Sequence, residues 1–507
     1  VFILLIACIN FMNLSTAQAA GRAREVGIRK VLGSRKKDLI LQFLTEAMIT
    51  SSIALALAVL LTILLVPYFD QLSGKQVSLA ILPVQWLLPV LIIAIVLVGL
   101  LAGSYPAFFL SRFSPVKVLK GSLAIGFKSQ WLRNGLVVFQ FITAVGLIVG
   151  TLVIYRQLHY MQNKSLGYDR DHVLVLENAD LLGSHAVLFK NEVLQIPGVV
   201  SGAMSGSLPT DQVFNNNTFS KDATMNASQS VLLQNWDVDA NLIPTLGMQM
   251  EMGRNFSPDM PTDSSAIIIN EAAAEALGYK DPIGKKLYSL YNNLSIVSYT
   301  IIGVVKDFNV GSLQYKTGPI LFNLSNNNRD MVFRIHTNNI PALIDAIKNK
   351  YHAAAGMEGQ PFTYSFMSDD YNHLYQSEQR TGNIFISFAI LAIFIACLGL
   401  FGLTAYATAR RTKEIGIRKT LGASVLNIVA LLSKDLLKLV IASILIAVPL
   451  AWFGMNKWLQ NFAYRIHISW WIFLLAGALA IFIALITVSF QAIKAAVANP
   501  VDALRSE

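Results

Sequence analysis

Long charge-free runs of apolar residues alternate with short basic stretches along most of the chain. Crossing the roughly 30 Å hydrocarbon core of a bilayer takes about 20 helical residues. Six runs are long enough, and a shorter seventh is flanked by Lys438 and Lys457, whose side chains can reach the two interfaces. The predicted spans are 1–21, 47–69, 76–111, 134–155, 381–409, 439–456 and 466–493.

One long polar segment, residues 156–380, separates the fourth span from the fifth. Its apolar patterns predict both strands and helices, with Pro197 and Gly278 as helix stops. Asn-rich triplets predict polar loops at 215–217 and 326–328. The predicted strands are 172–177, 266–270, 299–305 and 331–335, and the predicted helices are 186–194, 271–277 and 342–354.

Composition supports an integral membrane protein, because 54% of the residues are hydrophobic and only 14% are charged. The net charge of +10 lies beside the spans, since the polar segment alone carries 16 basic and 22 acidic side chains. Segments 22–38, 112–133 and 410–420 hold seven, five and five Lys or Arg residues and are predicted to be cytoplasmic. This distribution disfavours nucleic acid as a partner. The expected fold is a multispanning α-helical membrane protein with an inserted α+β extracytoplasmic domain.

A cytoplasmic signature occurs twice, as Arg24-Glu25-Val26-Gly27-Ile28-Arg29-Lys30-Val31-Leu32-Gly33 and as Lys413-Glu414-Ile415-Gly416-Ile417-Arg418-Lys419-Thr420-Leu421-Gly422. The two copies are 389 residues apart, and the same offset relates Cys8 to Cys397 in the preceding spans. A weaker echo relates 114–120 to 499–505 at an offset of 385. The chain is therefore predicted to contain a two-fold internal repeat of a membrane module.

Each signature predicts a short basic helix beneath the membrane. Glu and Arg stand four residues apart in the favourable order, and a glycine follows where a helix ends. A loop that only sets topology needs basic residues but not the repeated glycines, so the pattern favours a docking site for a partner. The candidate docking residues are Glu25, Gly27, Arg29, Lys30, Gly33, Glu414, Gly416, Arg418, Lys419 and Gly422.

Motifs for catalysis are missing from the sequence. It has no phosphate-binding Gly-x-x-x-x-Gly-Lys-Ser/Thr, no Gly-x-Ser-x-Gly and no His-Glu-x-x-His, and its histidines are scattered singly. Cys8 and Cys397 are interpreted as small packing residues. Glu46 and Asp435 are the acids nearest to spans, so ion-coupled transport is disfavoured. We expect no enzyme activity, metal or cofactor in this chain.

Subtracting 389 from 134 gives a position before residue 1, so the repeat predicts that roughly 255 or more residues precede this sequence. The whole protein would then have eight spans and two extracytoplasmic domains.

The duplicated motifs, together with Met252-Gly253-Arg254-Asn255-Phe256, Ile302-Gly303-Val304-Val305-Lys306-Asp307-Phe308 and Asn499-Pro500-Val501-Asp502-Ala503-Leu504, resemble the MacB/FtsX-type ABC transporter permeases, in particular an N-terminally truncated member of the MacB-like branch. The resemblance implies a bacterial inner membrane protein with its large domain in the periplasm. It also implies a separate cytoplasmic ATPase dimer that binds the ATP and docks on the short helices, with membrane-fusion and outer-membrane proteins as further candidate partners.

Two functions stay open at this stage. The chain is either a permease subunit that couples the ATPase to export or extraction of peptides, lipoproteins or drugs, or a regulatory membrane protein that senses antimicrobial peptides or controls a cell-wall hydrolase. The expected domains are a remnant span (1–21), a cytoplasmic coupling helix (22–38), two spans with a linker (39–133), a span (134–155), a MacB-like periplasmic core domain (156–380) and a second FtsX-like module with three spans (381–507).

Overall fold

The computed structural model describes residues 2–74, 84–111, 127–212, 215–291, 295–325, 329–355, 361–410 and 412–497. The chain forms two compact units. The membrane unit contains residues 1–157, 378–459 and 467–507, and the polar unit contains 158–377 and 460–466.

Helices dominate the membrane unit, and mixed structure fills the polar unit. The helices are α1 (Phe2–Val31), α2 (Lys36–Ser73), α3 (Val84–Ser111), α4 (Phe127–Asn163), α5 (Ala186–Val193), α6 (Leu242–Thr245), α7 (Glu271–Ala276), α8 (Ile340–Ala355), α9 (Met367–His373), α10 (Gln376–Arg410), α11 (Thr412–Thr420), α12 (Val425–Leu459) and α13 (Trp470–Val497). The strands are β1 (Val173–Leu176), β2 (Val199–Ser205), β3 (Asn216–Ser220), β4 (Ser230–Val238), β5 (Met250–Gly253), β6 (Ala266–Asn270), β7 (Lys286–Tyr291), β8 (Ser295–Val305), β9 (Ile320–Leu324), β10 (Asp330–Ile335) and β11 (Tyr364–Phe366).

Five helices of the described chain are long and apolar enough to cross a membrane, and they lie in α2, α4, α10, α12 and α13. The two remaining predicted spans fall in α1 and α3, whose apolar stretches are the shorter Ile3–Met12 and Leu88–Leu101. The predicted span 439–456 is part of a 35-residue helix. That helix continues through Lys434, Asp435 and Lys438, so the charge-free run marks only its apolar portion.

In both copies of the membrane module the signature is followed by two long helices. The first signature lies at the end of α1 (Phe2–Val31), whereas the second lies on the separate short helix α11 (Thr412–Thr420). Helix α2 begins at Lys36 and α12 begins at Val425, again 389 residues apart. Helix α3 packs on α2, and α13 packs on α12 in the same way. The echo between 114–120 and 499–505 lies outside the described residues.

Six strands of the polar unit close into a ring in the order β4, β3, β7, β8, β6, β9 and back to β4. Apolar side chains from these strands and from α7 fill its interior, among them Phe219, Leu233, Ile269 and Leu287. Strand β5 adds to the ring by pairing with β8.

The other part of the polar unit is a four-stranded antiparallel sheet in the order β11, β1, β10, β2. Helices α5 and α8 pack against it, and Phe189 meets Tyr351 edge to face between them, with ring centroids 5.8 Å apart. The strands and helices predicted from the sequence are all present, which confirms the α+β fold of the inserted segment.

One local prediction is wrong. Asn216 and Asn217 belong to strand β3 and pair with Gln234 and Leu233, because the ladder to β4 satisfies their backbone groups whatever the side chain is. The other predicted Asn-rich loop, 326–328, lies outside the described residues.

Candidate docking site at the duplicated helices

The two signature helices end in the same way. Gly33 and Gly422 have φ angles of 99° and 89°, the left-handed region that suits glycine. Gly33 N donates to Lys30 O at 3.1 Å and Ser34 N donates to Arg29 O at 3.0 Å. The second copy repeats both bonds, from Gly422 N to Lys419 O at 3.1 Å and from Ala423 N to Arg418 O at 2.9 Å. This pair of bonds is the Schellman motif, so the predicted glycine stop is confirmed in both copies.

The predicted acid-base pairs also form. Arg29 lies 2.9 Å from Glu25, and Arg418 lies 2.7 Å from Glu414. All four side chains are a little under half exposed, so each pair contributes only about 0.2–0.5 kcal/mol to its helix. Their larger effect is to hold each guanidinium at a fixed place on the surface.

The inner face of each signature helix packs on the base of its own module. In the first copy Val26 is buried with Leu39, Phe43 and Ala107, which come from α2 and α3. In the second copy the buried cluster is Ile415, Ile428, Leu432 and Ala492. The first three positions differ by 389 and the fourth by 385, so the same four contacts are made twice. Each signature helix thus packs against the last helix of its own module, α3 in the first copy and α13 in the second.

The outer face of each signature helix exposes large apolar side chains in addition to the charged residues predicted from the sequence. Ile28 and Leu32 are 46% and 80% exposed, and their counterparts Ile417 and Leu421 are 50% and 81% exposed. A topology-setting loop has no need of such side chains. The sequence contains the signal for them, since an apolar pair four residues apart recurs at the same positions of two basic helices.

The other predicted residues fall around this face. Lys30 and Lys419 are half-buried, and Gly416 is buried. The surroundings of Gly27 lie outside the described side chains. Arg29 also donates to Gln42 Oε1 at 2.6 Å. The second copy has Leu431 at the position of Gln42, so this bond belongs to the first copy alone.

Within the described residues, no group of three or more His, Cys, Asp or Glu side chains is arranged to hold a metal ion. Cys8 is a buried free thiol and Cys397 is a half-buried one, in keeping with their interpretation as packing residues.

Two family models match the chain. The FtsX-like permease C-terminal model matches residues 1–115 and again 386–500, and the MacB-like periplasmic core domain model matches residues 141–347. The chain belongs to the MacB/FtsX-type permeases. It is a membrane permease with two FtsX-like modules and an inserted MacB-like periplasmic core domain.

Curated relatives are exporters. The macrolide export ATP-binding/permease protein MacB of Bdellovibrio bacteriovorus is 24% identical over 428 residues, which cover 78% of this chain and 63% of that protein. MacB of Campylobacter jejuni is 30% identical over 119 residues, 24% of this chain and 18% of the relative. The pyoverdine export protein PvdT of Pseudomonas entomophila is 33% identical over 119 residues, 23% of this chain and 17% of the relative. The chain thus spans less than two thirds of each relative's length.

Comparison with solved structures gives weak matches. The periplasmic region of MacB from Actinobacillus actinomycetemcomitans aligns with a TM-score of 0.30 at 12% identity, over 41% of this chain and 95% of that one. The extracellular domain of the transporter YknZ from Gram-positive bacteria aligns with a TM-score of 0.26 at 14% identity, over 35% and 86% of the two chains.

Proposed function

We propose that this permease couples a separate cytoplasmic ABC ATPase dimer to mechanical work done by its polar unit on the far side of a bacterial inner membrane. The observation that carries the proposal is the pair of signature helices, which share their ends, ion pairs, anchoring clusters and exposed apolar side chains. A two-fold symmetric ATPase dimer needs two equivalent docking surfaces, and this chain supplies two.

The docking face has the composition of an interface that binds a protein. It combines exposed Leu and Ile with an arginine that pairs with a carboxylate. Burial of the apolar side chains against a partner is favourable, and Arg is enriched among the residues that contribute most to binding. The buried inner face ties each helix to two spans. A displacement of the signature helix would therefore move those two spans, which behave as rigid elements.

We propose that the polar unit performs the mechanical work. It includes the loop 460–466, which connects α12 to α13, as well as the segments that continue α4 and precede α10. Backbone bonds from Ala463 N to Gln314 O at 2.9 Å and from Tyr464 N to Leu313 O at 3.3 Å hold this loop in the unit. The chain therefore passes between the membrane helices and the polar unit at four points, after residues 157, 377, 459 and 466. The long spans 134–155 and 381–409 contain no charged residue, which suits helices that transmit motion better than helices that conduct a charged substrate.

The names of the relatives, macrolide and pyoverdine export proteins, point to export as the form of this work. We propose amphipathic small molecules or peptides as substrates, captured on the periplasmic side and passed to membrane-fusion and outer-membrane partners. The ATP and its hydrolysis belong to the ATPase, because this sequence lacks a phosphate-binding loop.

Charge reversal on each docking helix tests the proposal. Arg29→Glu with Lys30→Glu, or Arg418→Glu with Lys419→Glu, replaces attraction by repulsion at close contact and is expected to weaken binding of the cognate ATPase at least tenfold. The measurement is the Kd of the purified ATPase for the full-length permease in nanodiscs. Lys36→Glu with Lys37→Glu is the matched control, because the equivalent positions of the second copy are the apolar Val425 and Leu426. Equal Kd values for all variants would overturn the docking role.

Cysteine labelling tests the orientation of the membrane unit. Ser34→Cys and Ser424→Cys, in a version without Cys8 and Cys397, are expected to react with an impermeant reagent only after the membrane is opened, whereas Asn217→Cys reacts in intact spheroplasts. Labelling of Ser34→Cys from outside would contradict the cytoplasmic placement of the docking helices.

A further inference from the structure

A turn between β8 and β9 projects an aromatic and a basic side chain from the polar unit. Tyr315 N donates to Ser312 O at 3.1 Å, which closes the turn. Tyr315 is 72% exposed, the highest value for a large hydrophobic side chain among the described residues of the polar unit. Lys316, the next residue, is also exposed. Both side chains therefore point away from the core of the unit.

Three contacts hold this turn close to the ends of membrane helices. Leu313 is buried, and its N donates to Tyr375 Oη at 2.8 Å, one residue before α10 begins. Asn309 N donates to Leu166 O at 2.7 Å, three residues after α4 ends. The loop 460–466 makes the third contact through its backbone bonds to 313–314. The turn is thus fixed by segments that adjoin four membrane helices.

The loop 460–466 places the turn beside the bilayer. It connects α12 to α13, and both helices are long and apolar enough to cross a membrane. Ala463 lies four residues after Leu459, the last residue of α12, so even an extended chain keeps it within about 14 Å of that helix end. The headgroup layer extends roughly 5–8 Å beyond the hydrocarbon core on each side. A turn that is hydrogen-bonded to this loop therefore lies next to the headgroups.

The two bonded segments have the composition of a membrane-interface contact. The turn contributes Tyr315 and Lys316, and the loop contributes Tyr464 and Arg465. Segments 312–318 and 460–466 contain no Asp or Glu. Tyrosine is favoured at the interface because its ring is apolar and its hydroxyl stays in water, and long basic side chains reach toward the headgroups. Nothing in this composition favours an anionic protein core or a second acidic partner over phospholipid.

We propose that the patch formed by Tyr315, Lys316, Tyr464 and Arg465 binds the headgroup layer of the membrane that faces the polar unit, with phospholipid phosphates as the groups that Lys316 and Arg465 contact. The turn then touches the bilayer although it is remote from any span in sequence. Tyr315 precedes Gln376, the first residue of α10, by 61 residues (376 minus 315). The proposal goes beyond ATPase docking and export and depends on neither.

Quenching by spin-labelled lipid tests the contact in the full-length permease in nanodiscs. In a version with Cys8→Ala and Cys397→Ala, Tyr315→Cys carries a fluorophore, and the discs contain phospholipid with a nitroxide on its headgroup. We expect the fluorescence to fall roughly twofold or more, because the label would lie at headgroup level.

Ile296→Cys is the control for the quenching experiment. It is 50% exposed, and it lies about 30 Å along β8 from Val305, where the chain leaves the strand toward the turn. We expect its fluorescence to be nearly unchanged. Equal quenching at the two positions, or no quenching at 315, would overturn the proposal.

Hydrogen exchange tests the role of lipid charge. We expect the amides of 314–317 to exchange roughly fivefold more slowly in nanodiscs that contain phosphatidylglycerol than in nanodiscs of phosphatidylcholine alone, since Lys316 is attracted to an anionic surface. Lys316→Glu is expected to remove this difference. Lys285→Glu makes the same change of charge at another exposed position of the polar unit and is expected to keep it.

A ring substitution separates the lipid contact from net charge. Tyr315→Ser is expected to lose the protection of 314–317, and Tyr315→Trp is expected to keep it, because Trp shares the preference of Tyr for the interface. Exchange in the parent that is the same in both lipids would overturn the proposal. A loss of the difference in Lys285→Glu as well would assign it to the net charge of the protein and would also overturn the patch. Loss of ATPase binding in the docking variants would overturn the proposed function and leave these lipid measurements unchanged.

Discussion

The motifs that resemble the MacB/FtsX family fall into two groups with opposite surroundings. In the membrane unit, the duplicated signatures present Leu32 and Leu421 to solvent, each about four-fifths exposed. In the polar unit, the motif segments 252–256 and 302–308 contribute core side chains, and Phe256 and Phe308 are buried, although Met252 and Lys306 are exposed. The two groups of family motifs therefore have different physical explanations. The signatures form a surface that suits a partner, and the polar-unit motifs supply packing that the fold requires.

The polar-unit motifs lie side by side. Gly253 of β5 pairs with Gly303 of β8. A Cβ at Gly253 would collide with Ile302 O and would lie 2.9 Å from Gly303 Cα. Asp307 then accepts from Ala272 N at 3.0 Å at the start of α7, and the Phe308 ring lies 5.6 Å from the Trp236 ring, measured between centroids. These motif residues are thus explained by close backbone approach and core packing, without any ligand.

The largest expected effect follows from this close approach. In Gly303→Ala, the added methyl group would collide with Arg254 O and lie 2.5 Å from Met250 Cε, so we expect the polar unit to lose about 3 kcal/mol of its free energy of unfolding. Hydrogen exchange of the β8 amides in the full chain measures this loss. Gly284→Ala is the control, because a Cβ there meets nothing within 4 Å, and only its φ of 77° adds about 1 kcal/mol of strain. Equal losses in the two variants would contradict a packing role for the motif.

The docking group should behave in the opposite way. Leu32→Asp and Leu421→Asp each remove a side chain that we expect to be buried by the ATPase, at a cost of about 2 kcal/mol or roughly 30-fold in Kd. Hydrogen exchange of the polar unit should stay unchanged. Leu426→Lys is the matched control, because Leu426 is 79% exposed but its counterpart in the first copy is Lys37. A Kd that changes as much for Leu426→Lys as for Leu421→Asp would remove the distinction between the docking face and its neighbours.

Sequence patterns were sufficient for features that depend on local physics. The i,i+4 pairs and the glycine stops of the signatures follow from helix geometry alone, and the strands β1, β6, β8 and β10 follow from their apolar runs. Strands with mixed composition, such as β3 with its Asn216 and Asn217, could not be found in this way, because pairing with β4 decides their conformation.

The exposed side chains of the docking site were harder to predict than its charges. Apolar residues in a membrane protein are expected to face lipid or core, so the sequence alone does not predict that Ile28 and Leu32 are exposed. The hydrogen bond from Asn10 Nδ2 on α1 to Ile395 O on α10 depends on long-range helix packing, so no local sequence pattern predicts it.

A smaller effect on stability is expected from the ion pair between Arg254 of the polar-unit motif and the buried carboxylate of Asp263. Arg254 of the motif donates twice to Asp263, at 2.7 Å and 2.6 Å, and the Asp263 side chain is 1% exposed. These bonds hold the pKa of Asp263 below its ordinary value. The unfolded chain therefore binds this proton more readily, so the stabilisation is present above about pH 4 and is lost as the pH falls through the lowered pKa.

In Asp263→Asn, we expect a stability deficit of about 1–2 kcal/mol at neutral pH that shrinks as the solution is acidified below pH 4. Acid unfolding of the full chain, followed by hydrogen exchange in β5 and β8, measures the difference from the parent protein. Burial raises the pKa of Asp211 and of Asp370, which acts in the other direction, but it does so equally in both proteins and cancels in the difference. Asp281→Asn, which removes an exposed carboxylate elsewhere on the polar unit, is the control. A deficit that is constant with pH would mean that the Arg254 pair does not hold the carboxylate.

The smallest expected effect concerns residues that belong to neither motif group. Lys164, at the end of the segment that continues α4, lies over the Tyr464 ring with Nζ 3.3 Å from its centroid. The loop 460–466 contacts the segment around Leu313. Leu313 N donates to Tyr375 Oη at 2.8 Å, next to the start of α10, and Tyr371 Oη donates to Met161 O at 2.9 Å, near the end of α4. The loop therefore lies close to the ends of two membrane helices.

Lys164→Met keeps the length of the side chain and removes the charge, and a partly exposed cation over a ring contributes about 0.5–1 kcal/mol. We expect exchange at the Ala463 and Tyr464 amides to accelerate by up to about fivefold, while ATPase affinity and β8 exchange stay as in the parent. Lys221→Met, at the Lys221 and Tyr279 contact of 5.5 Å, is the control for a similar pair away from the loop. If ATP turnover also becomes uncoupled from export in Lys164→Met but not in Lys221→Met, the loop 460–466 transmits motion from the ATPase docking site to the polar unit. Coupling that stays unchanged despite faster exchange would leave transmission to the segments that continue α4 and precede α10.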